Sequence, residues 1–478
     1  MNARVVWWAV GLGVVGVATA AWQFGGGAGV ERAEHPRLVD VVTDERGVRR
    51  SDHPNIMLIV LDDVGTDMIR GYGDHPRPVV TETVDALMTR GVSFRHAVAT
   101  PLCSPTRATL LTGAYGFRHG IGGPIAPRKG WGLPADARSL PRELSRATGE
   151  AYRSAVIGKW HLASPNHGGF DHARAMGFDH HIGAMGNLHG KALPSTEPMT
   201  YTHWTRVVDG EPMVESRYAT TATVDDAIEV LPMLGEPYFL WVAFNAAHFP
   251  IHAPPEHLTK GPLPHDDESS KYRAMVRVMD QELGRLLEVV SDDLDDDTWV
   301  ILLGDNGSAP VGVLPPWRKP QSKGALLRGG VRVPFVVAGP GVDEPGRFSD
   351  ALINTTDVFA TIADLVGEPL PVPSDSISFA EVLRDAASPG KREVAFAEAF
   401  KPNGSPPWDE HRWMLRNERF KLIMERDGRE LLFDLENDAM ERNNLLSSDA
   451  GEAWASVVAD LKAQLPYETQ RKTDGLGP

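Results

Sequence analysis

The sequence predicts an α/β domain with a mostly parallel sheet flanked by helices, followed by a small α+β subdomain. Continuous apolar runs of strand length recur from about residue 53. Amphipathic helical segments separate them, the pattern of strands buried on both faces. After about residue 389 short strands follow one another with only polar turns between, as in an antiparallel sheet.

Taken in order, the chain begins with Arg4 and an uncharged apolar run from Val5 to Ala21, and Ala18-Thr19-Ala20 resembles a signal-peptidase site. The run is long for a signal core and barely long enough to span a bilayer. Residues 1–30 therefore fit either a signal peptide or an N-terminal membrane anchor. With Arg4 held inside, both place the rest of the chain outside the cytoplasm, exported to the periplasm or the exterior.

Residues 53–388 form the predicted catalytic domain. Buried strands are expected at 55–61, 152–158, 238–244, 299–304 and 333–339. Between the third and fourth, Tyr272, Met275, Met279, Leu283, Leu286 and Val290 recur at three- and four-residue steps and predict a helix over 270–290. The interval 163–213, rich in Gly, His and Pro, predicts long loops over the active face. Residues 389–478 carry the strand-like runs VAFAEAF, HRWMLRN, FKLIMER and ELLFDL, then a helical stretch near 451–465.

Composition narrows the function classes. The 478 residues carry a net charge of −16, which argues against general nucleic-acid binding. A single cysteine, Cys103, permits no disulfide within the chain and no cysteine-rich zinc site. Chemistry gathers instead where strands end. One run leads into Asp62-Asp63, another into Lys159-Trp160-His161, a third into His248 and a fourth into Asp305-Asn306. Ligands in open α/β sheets collect at the carboxyl ends of strands. Two Asp-Asp and Asp-Asn ends make an all-oxygen set suited to a hard cation, Ca²⁺ or Mg²⁺. Each residue alone also fits a bland role, an aspartate as helix cap or a histidine satisfied in the core.

Cys103 stands in PLCSPTRATLLTG. This segment resembles the sulfatase signature, Cys or Ser, any residue, Pro, any residue, Arg. AVIGKWHL resembles the second signature of that family, and LDDVG and GDNGS its metal-binding segments. The likeness runs from about His53 to Leu446.

The resemblance implies an alkaline-phosphatase-like fold and hydrolysis of a sulfate monoester to alcohol and sulfate. It implies that Cys103 is oxidised by a maturation enzyme to Cα-formylglycine, whose hydrate offers one hydroxyl as nucleophile and the other for release. Asp62, Asp63, Asp305 and Asn306, with residue 103, would hold Ca²⁺ or Mg²⁺. Arg107 and Lys159 would hold the hydrate, and His161 would take a proton from its second hydroxyl. His248 and Lys323 would bind the sulfate and protonate the leaving alcohol. The implied partners are a sulfated small molecule or sugar and the formylglycine-generating enzyme.

Two positions depart from the family. EAYRS lacks a glycine that commonly precedes the tyrosine, and Arg328 stands before a Gly-Gly pair where glutamate is usual. Arg328 fits either added positive charge near the cleft or a solvated surface arginine. Two other functions stay open on the sequence: a phosphonate monoester or phosphodiester hydrolase with the same aldehyde and metal, and a non-catalytic sulfate-ester-binding protein.

Overall fold

The computed structural model describes residues 53–126, 131–259, 263, 265–291, 297–447 and 449–466. The proposed signal or anchor segment lies outside the described residues. Among those described, no helix is long and apolar enough to cross a membrane.

The large sheet contains β1 (Asn55–Leu61), β2 (Gly91–Val98), β3 (Arg153–Gly158), β4 (His180–Gly183) and β5 (Trp204–Val208). It continues with β6 (Glu211–Glu215), β7 (Tyr238–Ala243), β8 (Thr298–Gly304), β9 (Phe335–Ala338) and β10 (Arg347–Asn354). Their spatial order is β10-β2-β9-β8-β1-β7-β3-β4-β5-β6. The block from β8 through β4 is parallel. β9 runs antiparallel to both its neighbours, as does β5 to its own.

Strand alternation explains why the central runs are apolar throughout. In β1, Ile56, Leu58 and Val60 enter one core, while Met57, Ile59 and Leu61 enter the core on the opposite face. Helices Ala219–Leu234 and Glu268–Val289 cover the second face. The first face carries helices Cys103–Thr112 and Asp357–Val366. The helix predicted at 270–290 is thus present, and Asp267 caps it by accepting the Ser270 N–H at 2.8 Å.

The interval 163–213 differs from expectation. β4 and β5 lie within it and β6 overlaps its end, so it is not purely loops. These strands are only four or five residues long, too short to show a period.

The second sheet is antiparallel, in the order β11 (Ala395–Lys401), β12 (Glu410–Arg416), β13 (Phe420–Met424) and β14 (Glu430–Asp434). Ala395, Ala397, Met414, Ile423 and Phe433 face Val98, Val331 and Leu352 of the large sheet's side. The opposite face, with Phe396, Leu415 and Leu422, packs on Val458 and Leu461 of helix Ala455–Lys462. Alternation in one short sheet therefore serves both a seam with the large domain and a core of its own.

Candidate active site

Register brings the acidic strand ends together. Leu61 of β1 pairs with Gly304 of β8, so Asp62 and Asp305 emerge side by side at the carboxyl rim. On the other side of β1, Gly158 of β3 pairs with Ala243 of β7, and Lys159 follows directly. Asp62, Lys159 and Asp305 are all buried, and Lys159 Nζ donates to Asp62 Oδ2.

Cys103 arrives from the far side of β9, at the first turn of helix Cys103–Thr112. Thr100 and Thr106 tie that turn: the Thr100 N–H donates to Thr106 Oγ1 at 3.1 Å, and Thr100 Oγ1 donates to the Leu102 carbonyl at 2.8 Å. Pro105 falls in the first turn, where a missing N–H costs no helical hydrogen bond. Arg107, four residues on, shares the face of Cys103. Its Nε and Nη2 both donate to Asp305 Oδ2, at 3.1 and 2.8 Å, and Nη1 donates to the Lys159 carbonyl at 2.7 Å.

A side-chain oxygen from each of Asp62 and Asp305 and the Cys103 sulfur lie within 4.8 Å of one another. Asp63 and Asn306 adjoin them. Asn306 Nδ2 donates to Asp63 Oδ1 at 2.8 Å, and Lys323 Nζ reaches the same oxygen at 2.5 Å. Asp63 holds this position with φ of 61°, a left-handed conformation uncommon for a non-glycine residue. Tyr272, read from the sequence only as part of an apolar helix stripe, fixes the backbone there by donating its hydroxyl to the Asp63 carbonyl at 2.5 Å. Asp62 Oδ1 and Asn306 Oδ1 are buried acceptors with no hydrogen-bond partner among the described residues. Burying an unsatisfied acceptor costs about 1–3 kcal/mol, and a hard cation held between carboxylate and amide oxygens would satisfy both. The residues present fit a divalent ion.

Lys323 is delivered by tight loop packing. A Cβ on Gly329 would lie 1.7 Å from the Gln321 carbonyl oxygen, and one on Gly330 would lie 2.1 Å from that of Ala325. The Gly-Gly pair is needed for that close approach.

The histidines stand beside this cluster. His161 is buried with φ of 59°, and its Nδ1 has no hydrogen-bond partner among the described residues. Burial, then the Lys159 and Arg107 charges, lower its pKa well below the ordinary imidazole value, so it is neutral. His248 is half-buried, and Tyr201 steadies its loop by donating to the carbonyls of Asn245 and His248 at 2.6 and 2.8 Å. Burial, joined by Lys159 and Lys323 against Asp63 and Asp62, pulls His248 down to about 4. The Lys323 ammonium is held charged despite its burial, chiefly by Asp63. Burial raises the Cys103 thiol pKa against the pull of Lys159 and Lys323, so the side chain is a poor thiolate.

Arg328 is not a solvated surface arginine. It is bonded to Asp74 at 3.2 Å and to the Ala439 carbonyl at 3.0 Å, and it lines a cavity that none of the candidate site residues lines.

A mostly parallel sheet that brings paired carboxylates, a buried cysteine at a helix start and several cations to one rim defines an alkaline-phosphatase-like fold. The sulfatase family profile matches residues 54–368, and a profile for the C-terminal part of N-sulphoglucosamine sulphohydrolase matches residues 322–471. The chain belongs to the sulfatase family and is a sulfuric ester hydrolase. It is 29% identical to arylsulfatase G of Mus musculus over 373 residues, 68% of this chain and 67% of the relative. It is also 29% identical to human N-acetylgalactosamine-6-sulfatase over 342 residues, covering 66% and 62% of the two chains. Among solved structures, Ps i-CgsB in complex with k-i-k-neocarrahexaose superposes with a TM-score of 0.72 at 25% identity, over 86% of this chain and 91% of that one. BT4656, bound to D-glucosamine-2-N,6-O-disulfate, gives 0.67 at 20% identity, over 89% and 99%.

Proposed function

We propose that this enzyme hydrolyses the sulfate monoester of a sulfated saccharide, using Cα-formylglycine made from Cys103 and one divalent cation, Ca²⁺ or Mg²⁺. The observation that carries the reading is the setting of Cys103, an inert buried thiol packed with Asp62 and Asp305 among Arg107, Lys159 and Lys323. A saccharide is favoured because N-acetylgalactosamine-6-sulfatase and the neocarrahexaose-bound Ps i-CgsB are among the similar proteins. Those relatives disfavour the phosphonate hydrolase and the non-catalytic binder.

Asp62, Asp63, Asp305 and Asn306, with residue 103, would hold the cation. When bound, it supplies positive charge that acidifies a hydroxyl and polarises a sulfate oxygen. The formylglycine hydrate supplies the nucleophilic hydroxyl and a second one that allows release. The remaining work falls to the chain's own side chains. Arg107 keeps Asp305 in place, and Lys159 does the same for Asp62. Lys323 attracts the sulfate. His248, neutral beforehand, gains basicity as the anion arrives beside it, takes up a proton from solvent and passes that proton to the leaving oxygen. His161, kept neutral by its cationic neighbours, accepts the proton of the second hydroxyl.

Cys103 is 1% exposed in the folded chain. The formylglycine-generating enzyme therefore acts before folding closes the site. The apolar segment 5–21 supports export. Mass spectrometry of active enzyme tests the reading. The peptide around residue 103 should be lighter than encoded, resist alkylation and react with hydrazides, and Cys103→Ala should fold without turnover. Fully active enzyme carrying unmodified cysteine would overturn it.

A further inference from the structure

A second concentration of positive charge lies in a cavity that none of the candidate catalytic residues lines. The cavity, of ≈ 470 Å³, sits at the seam between the large sheet and the C-terminal subdomain. That lies within the usual range for small-molecule pockets, about 300–1,000 Å³. Arg328, Arg332, Arg416, Arg419 and Lys421 line it, together with His96 of β2.

Five carboxylates, Asp74, Glu418, Asp434, Glu436 and Glu441, match these five cations in number, but Arg416 hydrogen-bonds to none of them among the described residues. Lys421 pairs with Glu441 at 2.8 Å. Arg419 reaches Asp434 at 2.9 Å and Glu436 at 3.4 Å. Asp74 serves two guanidinium groups at once, those of Arg328 and Arg332. Arg416 donates only to backbone, the Asn417 and Glu418 carbonyls at 2.9 and 3.2 Å, among the described residues. Arg328 Nε is buried without a hydrogen-bond partner among them. Glu418, the remaining acidic residue on the wall, is exposed.

The crowding shows in the acid-base balance. Burial, then the Arg332 charge, pulls Arg328 down to about 10. Arg416 falls to about 10 because burial, Arg332 and Arg328 outweigh Glu441. His96 is pulled to about 3, by burial and then by Arg416, so it stays neutral and adds an imidazole to the wall rather than a charge.

We infer that this cavity is a binding site for a tetrahedral oxyanion, sulfate or phosphate, either free or esterified to a small molecule. Arg416 and Arg328 supply the charge-assisted donors that the protein's own acceptors leave unused. An oxyanion there would turn mutual repulsion into attraction across the seam between the two sheets.

The test uses full-length enzyme carrying Lys323→Ala and His248→Ala, which removes the sulfate-binding side chains of the catalytic centre. Sodium sulfate, sodium phosphate and glucose 6-sulfate are titrated against sodium chloride of matched ionic strength, by calorimetry and thermal melting. Saturable binding of any one of the three, near one equivalent, is expected. Equal affinity for free and esterified anions identifies a free ion as the ligand, and a tenfold preference for glucose 6-sulfate identifies the ester.

Adding Arg416→Gln should weaken binding at least tenfold while raising the melting temperature in chloride, because a repelling cation is gone. Arg328→Gln is the second variant should Arg416→Gln fail to fold. In otherwise unaltered enzyme, either change should leave turnover of a simple aryl sulfate intact. Absence of saturable binding in the Lys323→Ala, His248→Ala protein would overturn the site, as would unchanged affinity in both arginine variants.

Discussion

Metal binding at the catalytic rim should compete with a single proton. Burial and the neighbouring Asp62 charge push the Asp305 carboxyl up to about 7, against Arg107 and Lys159. Burial also opposes charge on Asp62, but Lys159 and Arg107 outweigh it and hold that carboxyl well below the usual range. In metal-free protein the pair therefore retains one proton below about pH 7. A divalent cation needs both carboxylates ionised, so binding at about pH 5 must release close to one proton, and at about pH 8 almost none. One competing proton changes apparent affinity about tenfold per pH unit, equivalent to about 1.4 kcal/mol. Calcium affinity should then rise about fiftyfold between pH 5 and pH 7 and level off above.

The stability of metal-free protein should move the opposite way. The folded pKa of Asp305 exceeds the value of about 3.9 in an unfolded chain. Its contribution is complete below about pH 4 and lost as pH rises through 7. Calcium titration of chelated enzyme by calorimetry, in buffers of different ionisation heat, measures both affinity and proton release. Asp305→Asn should bind more weakly and flatten the pH dependence. Equal affinity at pH 5 and 7 in the unaltered enzyme, without proton release, refutes this account of the pair.

Other consequences are more local. His161→Ala should give a burst of about one equivalent of alcohol and then stall, whereas His248→Ala should lose that burst on alkyl sulfates more than on nitrophenyl sulfate. Rapid-mixing kinetics decides, and steady turnover by His161→Ala without a burst removes its role as base. At pH 8, where Asp305 is ionised, Arg107→Met leaves that carboxylate buried without its guanidinium partner and should destabilise metal-free protein by about 3–5 kcal/mol in urea unfolding. A loss below about 1 kcal/mol would show that the pair contributes little. Tyr272→Phe leaves the Asp63 carbonyl without its hydroxyl donor and should cost about 1–3 kcal/mol. An unchanged melting temperature would dismiss the tyrosine as an anchor.

Legibility in the sequence followed burial. β1, β7 and β8 are enclosed on both faces and carry long apolar runs, β3 a shorter one after Arg153 and Ser154, so the polar residues at their ends stand out. β2 does not stand out in the sequence because Arg95 and His96 interrupt it, nor β10 because Ser349 and Asp350 do. β9 was visible as a strand, but its antiparallel direction was not, since apolar periodicity carries no sense of polarity. The positions of Asp62, Asp63, Asp305 and Asn306 were readable as strand ends. Cys103, Arg107 and Lys323 came through a family pattern, because loop packing rather than periodicity sets their places. Tyr272 fits the apolar helix stripe by its ring, and nothing in its spacing announces a hydrogen bond to Asp63. The charge balance at Arg328 depends on Asp74 and Ala439, residues distant in sequence that only the tertiary fold brings near.

The reversed strand β9 has a consequence for how this chain can vary. Because β8 and β9 are antiparallel neighbours, residues 305–334 leave the sheet and rejoin it at the same rim, with no crossover to thread. That excursion carries Asp305 and Asn306 at its root, Lys323 midway and Arg328 near its return. It forms a cassette, open to insertion, trimming or wholesale exchange between related chains without altering the order of any strand. One recombination there would exchange part of the proposed metal shell, the lysine proposed to attract sulfate and the Arg328 wall of the seam cavity together.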